Sequence, residues 1–209
     1  MPIYKYKAIG FDYGGVIGGN SSNGAPFTQK VCKLLGITKQ DFDETYFSMN
    51  HLMQLGELDS WEEFWRLFLQ KLGKGSEKLD DIIVLNTEVE RNLKIVDDKI
   101  LELVDSLRGM GYKLGLLSNT TLKGAADMRA LGIPAHFDVF HASSEVKHMK
   151  PRVDAFIFFA EALGVEMSEL VFIDDTEKSL STASECGYTP VLYTGYRALL
   201  DSLSDLGVL

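Results

Sequence analysis

Two adjacent carboxylates, Asp174 and Asp175, close the apolar run "LVFIDD", and a third, Asp12, closes another, "AIGFD". Side by side at neutral pH the pair repel each other, and a bound divalent cation relieves that repulsion. Mg²⁺ is held by one or two carboxylates together with substrate phosphate and waters. Asp12, from a different strand end, could supply a third protein group. A carboxylate beside such a metal can attack phosphorus and carry the phosphoryl group as an aspartyl-phosphate. That chemistry asks for positive charge and for hydroxyl or amide donors around the phosphoryl oxygens. Lys150 in "HMKPR" and Ser118 in "LLSNT" are of those types. Taken singly each residue is ordinary: a strand-end Asp caps turns, "SNT" starts helices, and an acidic pair complements a helix dipole. Their shared position is what points to a site.

That position follows from the elements around them. From about residue 97 the chain alternates helix and strand. The helix "DKILELVDSLRGMG" leads into the strand "YKLGLLSN", and a helix at 121–131 into "FDVFHASS". A helix from Pro151 to Leu163 precedes "ELVFIDD", and one at 177–186 precedes "TPVLY" and a last helix. With a first strand at 3–11, the pattern predicts an α/β fold with a doubly wound, mostly parallel, Rossmann-like sheet. Ligands of such sheets bind outside the carboxyl ends of the strands, where Asp12, Ser118-Asn119, Lys150 and Asp174-Asp175 all fall. A Gly-, Asn- and Ser-rich stretch at 14–26 reads as a loop, and the chain is helical in pattern from about 27 to 93. "SWEEFWRLFLQKL" sets Trp61, Phe64, Trp65, Phe68 and Leu69 at helical spacing behind a Ser60–Glu63 capping box. The expected organisation is a core of residues 1–17 and 94–209 with a small helical domain, 18–93, inserted.

The bulk properties narrow the partners. With 209 residues and 45% hydrophobic content the chain can bury a sizeable core. A net charge of -9 without a Lys/Arg cluster speaks against nucleic acid or an anionic membrane, though not against a phosphorylated small molecule. Cys32 and Cys186 lie far apart with no metal-ligand partners, as suits two thiols in a reducing compartment. No apolar run is long enough to span a bilayer and "MPIYKYKAIG" has no secretory core. The expectation is a cytoplasmic protein, monomer or homodimer, acting on a small phosphorylated substrate.

Four motifs in order, "FDYGGVI", the Ser of "LGLLSNT", the Lys of "HMKPR" and "VFIDDTEKS", resemble those of the haloacid dehalogenase-like hydrolase superfamily. The insert after the first motif is similar to the helical cap of one of its subfamilies, in particular the glucose-1-phosphate phosphatase branch and the phosphatase domain of soluble epoxide hydrolases. The resemblance implies Asp12 as nucleophile and Mg²⁺ ligand, with the backbone carbonyl of Gly14 as a second ligand. It implies Asp175 as a direct ligand, with Asp174 orienting the metal's waters or sharing the task. Ser118 and Asn119 would hold phosphoryl oxygens and Lys150 would neutralise charge on Asp12 and phosphate. Asn50, His51 and Gln54 would face the substrate from the cap. Ser179 stands where the family often has Asn. The larger departure is Gly14, where the family usually has a second Asp that protonates the leaving group.

General acid–base help is worth roughly 10²–10⁴-fold, or about 3–5 kcal/mol of barrier. Three readings accommodate its loss. The substrate carries a good leaving group, such as an anomeric sugar phosphate or acyl phosphate; or His51, Glu57 or Asp59 supplies the proton; or the protein binds a phosphometabolite or partner with little turnover. Dehalogenation, which also lacks that Asp, is disfavoured by the metal-binding pair Asp174-Asp175. Tyr13 is turned away from Asp12 by strand alternation, and His136, His141 and His148 show no ligand spacing. Phe42, Tyr46, Phe47, Trp61, Phe64, Trp65 and Phe68 are expected mainly as the insert's own core. The expected function is a Mg²⁺-dependent phosphatase working through an aspartyl-phosphate.

Overall fold

The computed structural model describes residues 5–19 and 24–209. Its sheet comprises β1 (Ala8–Phe11), β2 (Lys113–Ser118), β3 (Val139–Ala142), β4 (Leu170–Asp174) and β5 (Thr189–Leu192), in the order β3-β2-β1-β4-β5. All neighbouring strands run parallel. The strands are short, continuous apolar runs because both faces are covered. Ile9, Phe11, Leu114, Leu116, Val171 and Ile173 pack into one layer, and Ala8, Leu117, Leu170 and Phe172 into the other. The predicted first strand is shorter than 3–11: it begins at Ala8, and residues 1–4 lie outside the described residues.

The helices follow in chain order. Between β1 and β2 come α1 (Gly24–Leu35), α2 (Lys39–Phe47), α3 (Asn50–Gln54), α4 (Trp61–Lys71), α5 (Leu79–Leu93) and α6 (Asp98–Gly109). Beyond β2 come α7 (Leu122–Ala130), α8 (Ser143–Val146), α9 (Val153–Leu163), α10 (Glu177–Leu180), α11 (Ala183–Cys186) and α12 (Tyr196–Asp205). Ile100, Val104 and Leu107 of α6 and Leu199 and Leu203 of α12 cover one face of the sheet. Phe156, Phe159 and Leu163 of α9 cover the other. The doubly wound α/β sheet expected from the pattern is the fold observed.

Helices α1 to α5 bury a separate apolar cluster, with Phe42, Phe64, Trp65 and Phe68 at its centre. Several of its aromatic rings meet edge to face, as Phe64 and Trp65 do at 5.1 Å, an arrangement ring quadrupoles favour. The reciprocal capping box in this region joins Thr38 to Asp41 at the start of α2. At α4, Ser60 accepts from the Glu63 amide, and the returning bond expected of a full box is not formed. Gly24–Pro26, expected as loop, form the first turn of α1, while residues 20–23 of that expected loop lie outside the described residues. The helix expected over 177–186 divides at Ser181-Thr182, where the Thr182 hydroxyl donates to the Pro151 carbonyl at 2.8 Å. At the same break the Ser181 hydroxyl donates to Lys178 O at 2.8 Å, the local bonding by which Ser and Thr weaken helix interiors.

Two chain segments join the helical region to the sheet, and they pair with each other. Gly19 N donates to Ile95 O and Asp97 N to Ile17 O, both at 2.8 Å, around an antiparallel bridge between Gly18 and Val96. Tyr13 ties the same crossing from below, its hydroxyl donating to Leu93 O at 2.7 Å. Its ring is buried in the same core layer as Ile9 and Phe11.

Candidate active site

Asp12 is the first residue beyond β1, and its amide donates to Ile173 O at 2.8 Å. That bond sets Asp12 beside the end of β4, where Asp174 is fully buried. Strand order reverses here, β2 lying on one side of β1 and β4 on the other, which opens a crevice at the carboxyl ends. Oxygens of Asp12, Asp174 and Asp175 all lie within 4.8 Å of one another. Lys150, itself buried, reaches in beside them: its ammonium is 2.8 Å from Asp12 Oδ1 and 2.5 Å from Asp174 Oδ2. Its Nζ also sits 5.1 Å from the centre of the Phe172 ring.

Three carboxylates therefore share one buried cation, and the electrostatics record the imbalance. Burial pushes the Asp12 carboxyl up to about 6, Lys150 opposes the rise, and Asp174 adds to it. Burial, then Asp174, also raise Asp175. For Lys150, burial alone would lower the pKa, but Asp12 and Asp174 outweigh it and hold the ammonium above its ordinary value. A cluster of hard oxygen donors with unrelieved negative charge fits a hard divalent cation of the Mg²⁺ class. The oxygens are not equally available. Asp174 is engaged on both sides, by Lys150 and by the amide and hydroxyl of Thr176 at 2.9 and 2.8 Å. Asp175 is half-buried and lines the cavity described below.

The paired glycines after Asp12 have separate reasons. Gly15 has φ +77°, and an added Cβ would lie 2.1 Å from Asp175 Oδ2, so the carboxylate packs onto bare backbone. At Gly14 a Cβ would meet nothing within 4 Å. The site thus has room for a side chain beside Asp12 and carries none.

Ser118 ends β2, nearly buried, in the same cavity. Asn119 is committed to the backbone: its amide donates to Lys150 O at 2.7 Å, and its carbonyl accepts from Lys150 N at 2.8 Å. It holds in place the loop that carries the lysine, whose peptide bond to Pro151 is cis. Above these residues a cavity of about 930 Å³ opens towards the helical region. Its near wall includes Asp12, Gly14, Ser118, Asn119, Lys150 and Asp175; its far wall includes Tyr46, Phe47, Asn50, His51, Gln54 and Trp61. The sequence-predicted site residues are therefore brought together around one space, His51 from the far side. Glu57 and Asp59, considered as proton donors, are not among the lining residues.

Sequence reasoning missed several residues. Thr120, Thr121 and Lys178 line the cavity. Lys178 also stacks on Phe47, its Nζ 4.7 Å from the ring centre, linking the two walls. Ser143, fully buried, accepts from Thr120 N at 3.0 Å and donates to Gln54 O at 2.6 Å. Lys147, in the left-handed region at φ 63°, donates to Leu55 O at 2.6 Å. The close approach of Gly56 allows this, since a Cβ there would lie 2.7 Å from Ser144 O. The hydroxyl run "SNTT" and the lysine in "DDTEKS" were the available signals; nothing local marks Ser143 or Lys147.

Residues 6–187 match the family of haloacid dehalogenase-like hydrolases. The chain belongs to that family. Phosphoglycolate phosphatase of Escherichia coli (strain K12) is 27% identical over 99 residues, covering 46% of this chain and 39% of the relative. Glyceraldehyde 3-phosphate phosphatase of Methanocaldococcus jannaschii is 26% identical over 157 residues, covering 72% of this chain and 68% of that protein. The chain thus spans well under half the length of the first relative. Among solved structures, a HAD phosphatase from Thermococcus onnurineus superposes with a TM-score of 0.59 at 26% identity, covering 96% of this chain and 98% of that one. A Bacteroides thetaiotaomicron family member solved with magnesium and inorganic phosphate shares the fold, with a TM-score of 0.64 at 22% identity over 91% of this chain and 96% of its own. No helix among the described residues is long and apolar enough to cross a membrane.

Proposed function

We propose that the chain is a Mg²⁺-dependent phosphatase that hydrolyses a small phosphorylated metabolite through a phosphorylated Asp12. The observation that carries this reading is the convergence of Asp12, Asp174 and Asp175 within 4.8 Å at the strand ends, with Lys150 between them. The phosphatase relatives of the same family support it.

In this reading residues 1–17 and 94–209 are the catalytic core and 18–93 a cap. The carboxylates of Asp12 and Asp175 with the Gly14 carbonyl would hold the metal, which when bound neutralises phosphoryl charge and draws the phosphate against Asp12. Asp174 keeps Lys150 and Thr176 in place. Lys150 holds Asp12 ionised and offers its remaining N–H to a phosphoryl oxygen, and Ser118 donates to another. Asn119 positions Lys150 rather than the substrate. An Asp12 oxygen attacks phosphorus and the P–O bond to the leaving group breaks. Water then attacks the same phosphorus, releasing phosphate and restoring the carboxylate. The cap wall, with His51, Asn50 and Gln54, covers the leaving group and keeps bulk water out.

The test is phosphate release from small phosphate esters in Mg²⁺ and in chelator. Metal-dependent release that Asp12→Asn lowers at least about 10³-fold supports the reading. The bare space at Gly14 favours a second one, a binding module with little turnover. Phosphate ligands that raise the melting temperature with no product formed would select it.

A further inference from the structure

The cavity is unevenly furnished. Its near end holds the carboxylates, Lys150, and the hydroxyl and amide groups of Ser118 and Asn119. Asp12, Asp175 and Lys150 there belong to the charge cluster, and of the proton donors considered from the sequence only His51 lines the cavity, from the far wall. Position 14, open to that space, offers only backbone. The far end sets three aromatic rings beside the polar Asn50, His51 and Gln54. Tyr46, Phe47 and Trp61 line it. They are braced from behind: Trp61 lies parallel to Trp65 with ring centres 6.2 Å apart, and Tyr46 parallel to Phe42 at 5.4 Å. Trp61 is fixed further by its indole N–H, which donates to Glu90 at 3.1 Å. Phe47 is 54% exposed. The Tyr46 hydroxyl has no hydrogen-bond partner among the described residues. A cavity of about 930 Å³ is at the upper end of what encloses a drug-sized molecule, far more than a two- or three-carbon phosphate fills.

We propose that the substrate class of this site is an aryl phosphate monoester, its ring lying against the Tyr46–Phe47–Trp61 wall while its phosphoryl group faces Asp12. This rests on the phosphatase reading and names the leaving group it acts on. A phenol-like oxygen has a pKa near ~10, as tyrosine does, whereas an aliphatic alcohol is close to water at ~15.7. The aryl oxide therefore departs with the electron pair of the broken P–O bond and takes its proton from water afterwards. Asp12 gains the phosphoryl group, and water later removes it as phosphate. No side chain at position 14 is required. The two halves of the cavity then describe one molecule: a flat ring against the aromatic side chains at one end, with a leaving oxygen that needs no acid at the other.

The experiment compares matched aryl and alkyl phosphates for turnover in Mg²⁺, and phenylphosphonate and methylphosphonate, which cannot be hydrolysed, for binding by calorimetry. Wild type is expected to favour the aryl ester in kcat/KM by about 100-fold or more, the range that general acid catalysis otherwise supplies. Gly14→Asp narrows the gap at least tenfold by raising alkyl turnover. Phenylphosphonate binds at least tenfold tighter than methylphosphonate, and Trp61→Ala removes most of that difference. Phe47→Ala repeats the comparison at an exposed ring on which folding does not depend. Equal turnover of aryl and alkyl esters by wild type overturns the proposal, and so does equal binding of the two phosphonates. If no ester is turned over, acetyl phosphate included, yet phenylphosphonate still binds selectively, the phosphatase reading has failed and aryl recognition stands.

Discussion

Replacing Lys150 by methionine keeps the side chain unbranched and only one atom shorter, and removes the buried cation together with its contact over the Phe172 ring. At an effective dielectric of ~20, an ion pair at 2.8 Å is worth about 6 kcal/mol in Coulomb energy, and the two carboxylates lose such a partner together. The full loss does not appear, because Asp12, already raised to about 6, takes up a proton instead of remaining charged. Breaking a buried pair costs about 3–5 kcal/mol once such relaxation is allowed. For a chain of this size that lowers the melting temperature by about 6–20 °C. The sign with pH follows. Below about pH 5 Asp12 is largely neutral in the wild type too, so Lys150→Met costs less there, and the cost grows towards pH 7. Thermal unfolding in chelator at both pH values reads this directly, and adding Mg²⁺ should return part of the loss by supplying the missing positive charge. Phosphate release should fall at least about 100-fold. A variant that melts within about 2 °C of wild type at both pH values would refute the account of the charge cluster.

Three further outcomes are expected. Asp12→Asn should stabilise the metal-free protein at pH 7 while abolishing turnover. A carboxyl moved from 3.8 to about 6 costs the folded state about 3 kcal/mol, and melts in chelator should show the gain vanish below about pH 4, where the group is protonated folded or unfolded. Gly15→Ala should weaken Mg²⁺ binding, measured by calorimetry, at least tenfold, because the new methyl occupies the place of the Asp175 carboxylate at a positive φ. Ser143→Ala should cost about 1–3 kcal/mol, since it leaves Gln54 O and Thr120 N without their buried partner. Hydrogen exchange should rise first in 50–56, the segment this hydroxyl holds to the core.

The sheet was legible because its strands are apolar runs that end on charge: Asp12 and Asp174 stand out from "AIGF" and "LVFI" as polar residues that a doubly covered strand cannot otherwise explain. The βα alternation then places Ser118 and Lys150 at the same edge, and the structure brings them there. What stayed hidden depends on contacts made across the chain. Asn119 reads as a phosphate ligand by its neighbourhood, yet its amide is spent on the backbone of a residue 31 positions away. Ser143 and Lys147 look like loop residues until Gln54 and Leu55 arrive beside them. Gly15 shows only a glycine, not the Asp175 carboxylate that makes a side chain intolerable there. The aromatic residues 42–68 were expected as the insert's own core; Phe42, Phe64, Trp65 and Phe68 are, with Tyr46 and Trp61 packed against them, but Phe47 is exposed and outside that core, and Phe42, Tyr46, Phe47, Trp61 and Phe64 all line the cavity. Helical spacing cannot distinguish the two roles, because Phe42 and Phe64 serve both, packing in the core and lining the cavity.

The most direct test of the central claim is to trap the covalent intermediate. Rapid acid quench of wild-type protein turning over a phosphate ester in Mg²⁺, followed by peptide mass measurement, should find one phosphoryl group on the peptide that carries Asp12. The adduct should be lost on treatment with hydroxylamine, as an acyl phosphate is, and absent from Asp12→Asn and from chelator-treated samples. Steady metal-dependent phosphate release with no adduct on Asp12, or with undiminished release from Asp12→Asn, would contradict the claim that this carboxylate is the nucleophile.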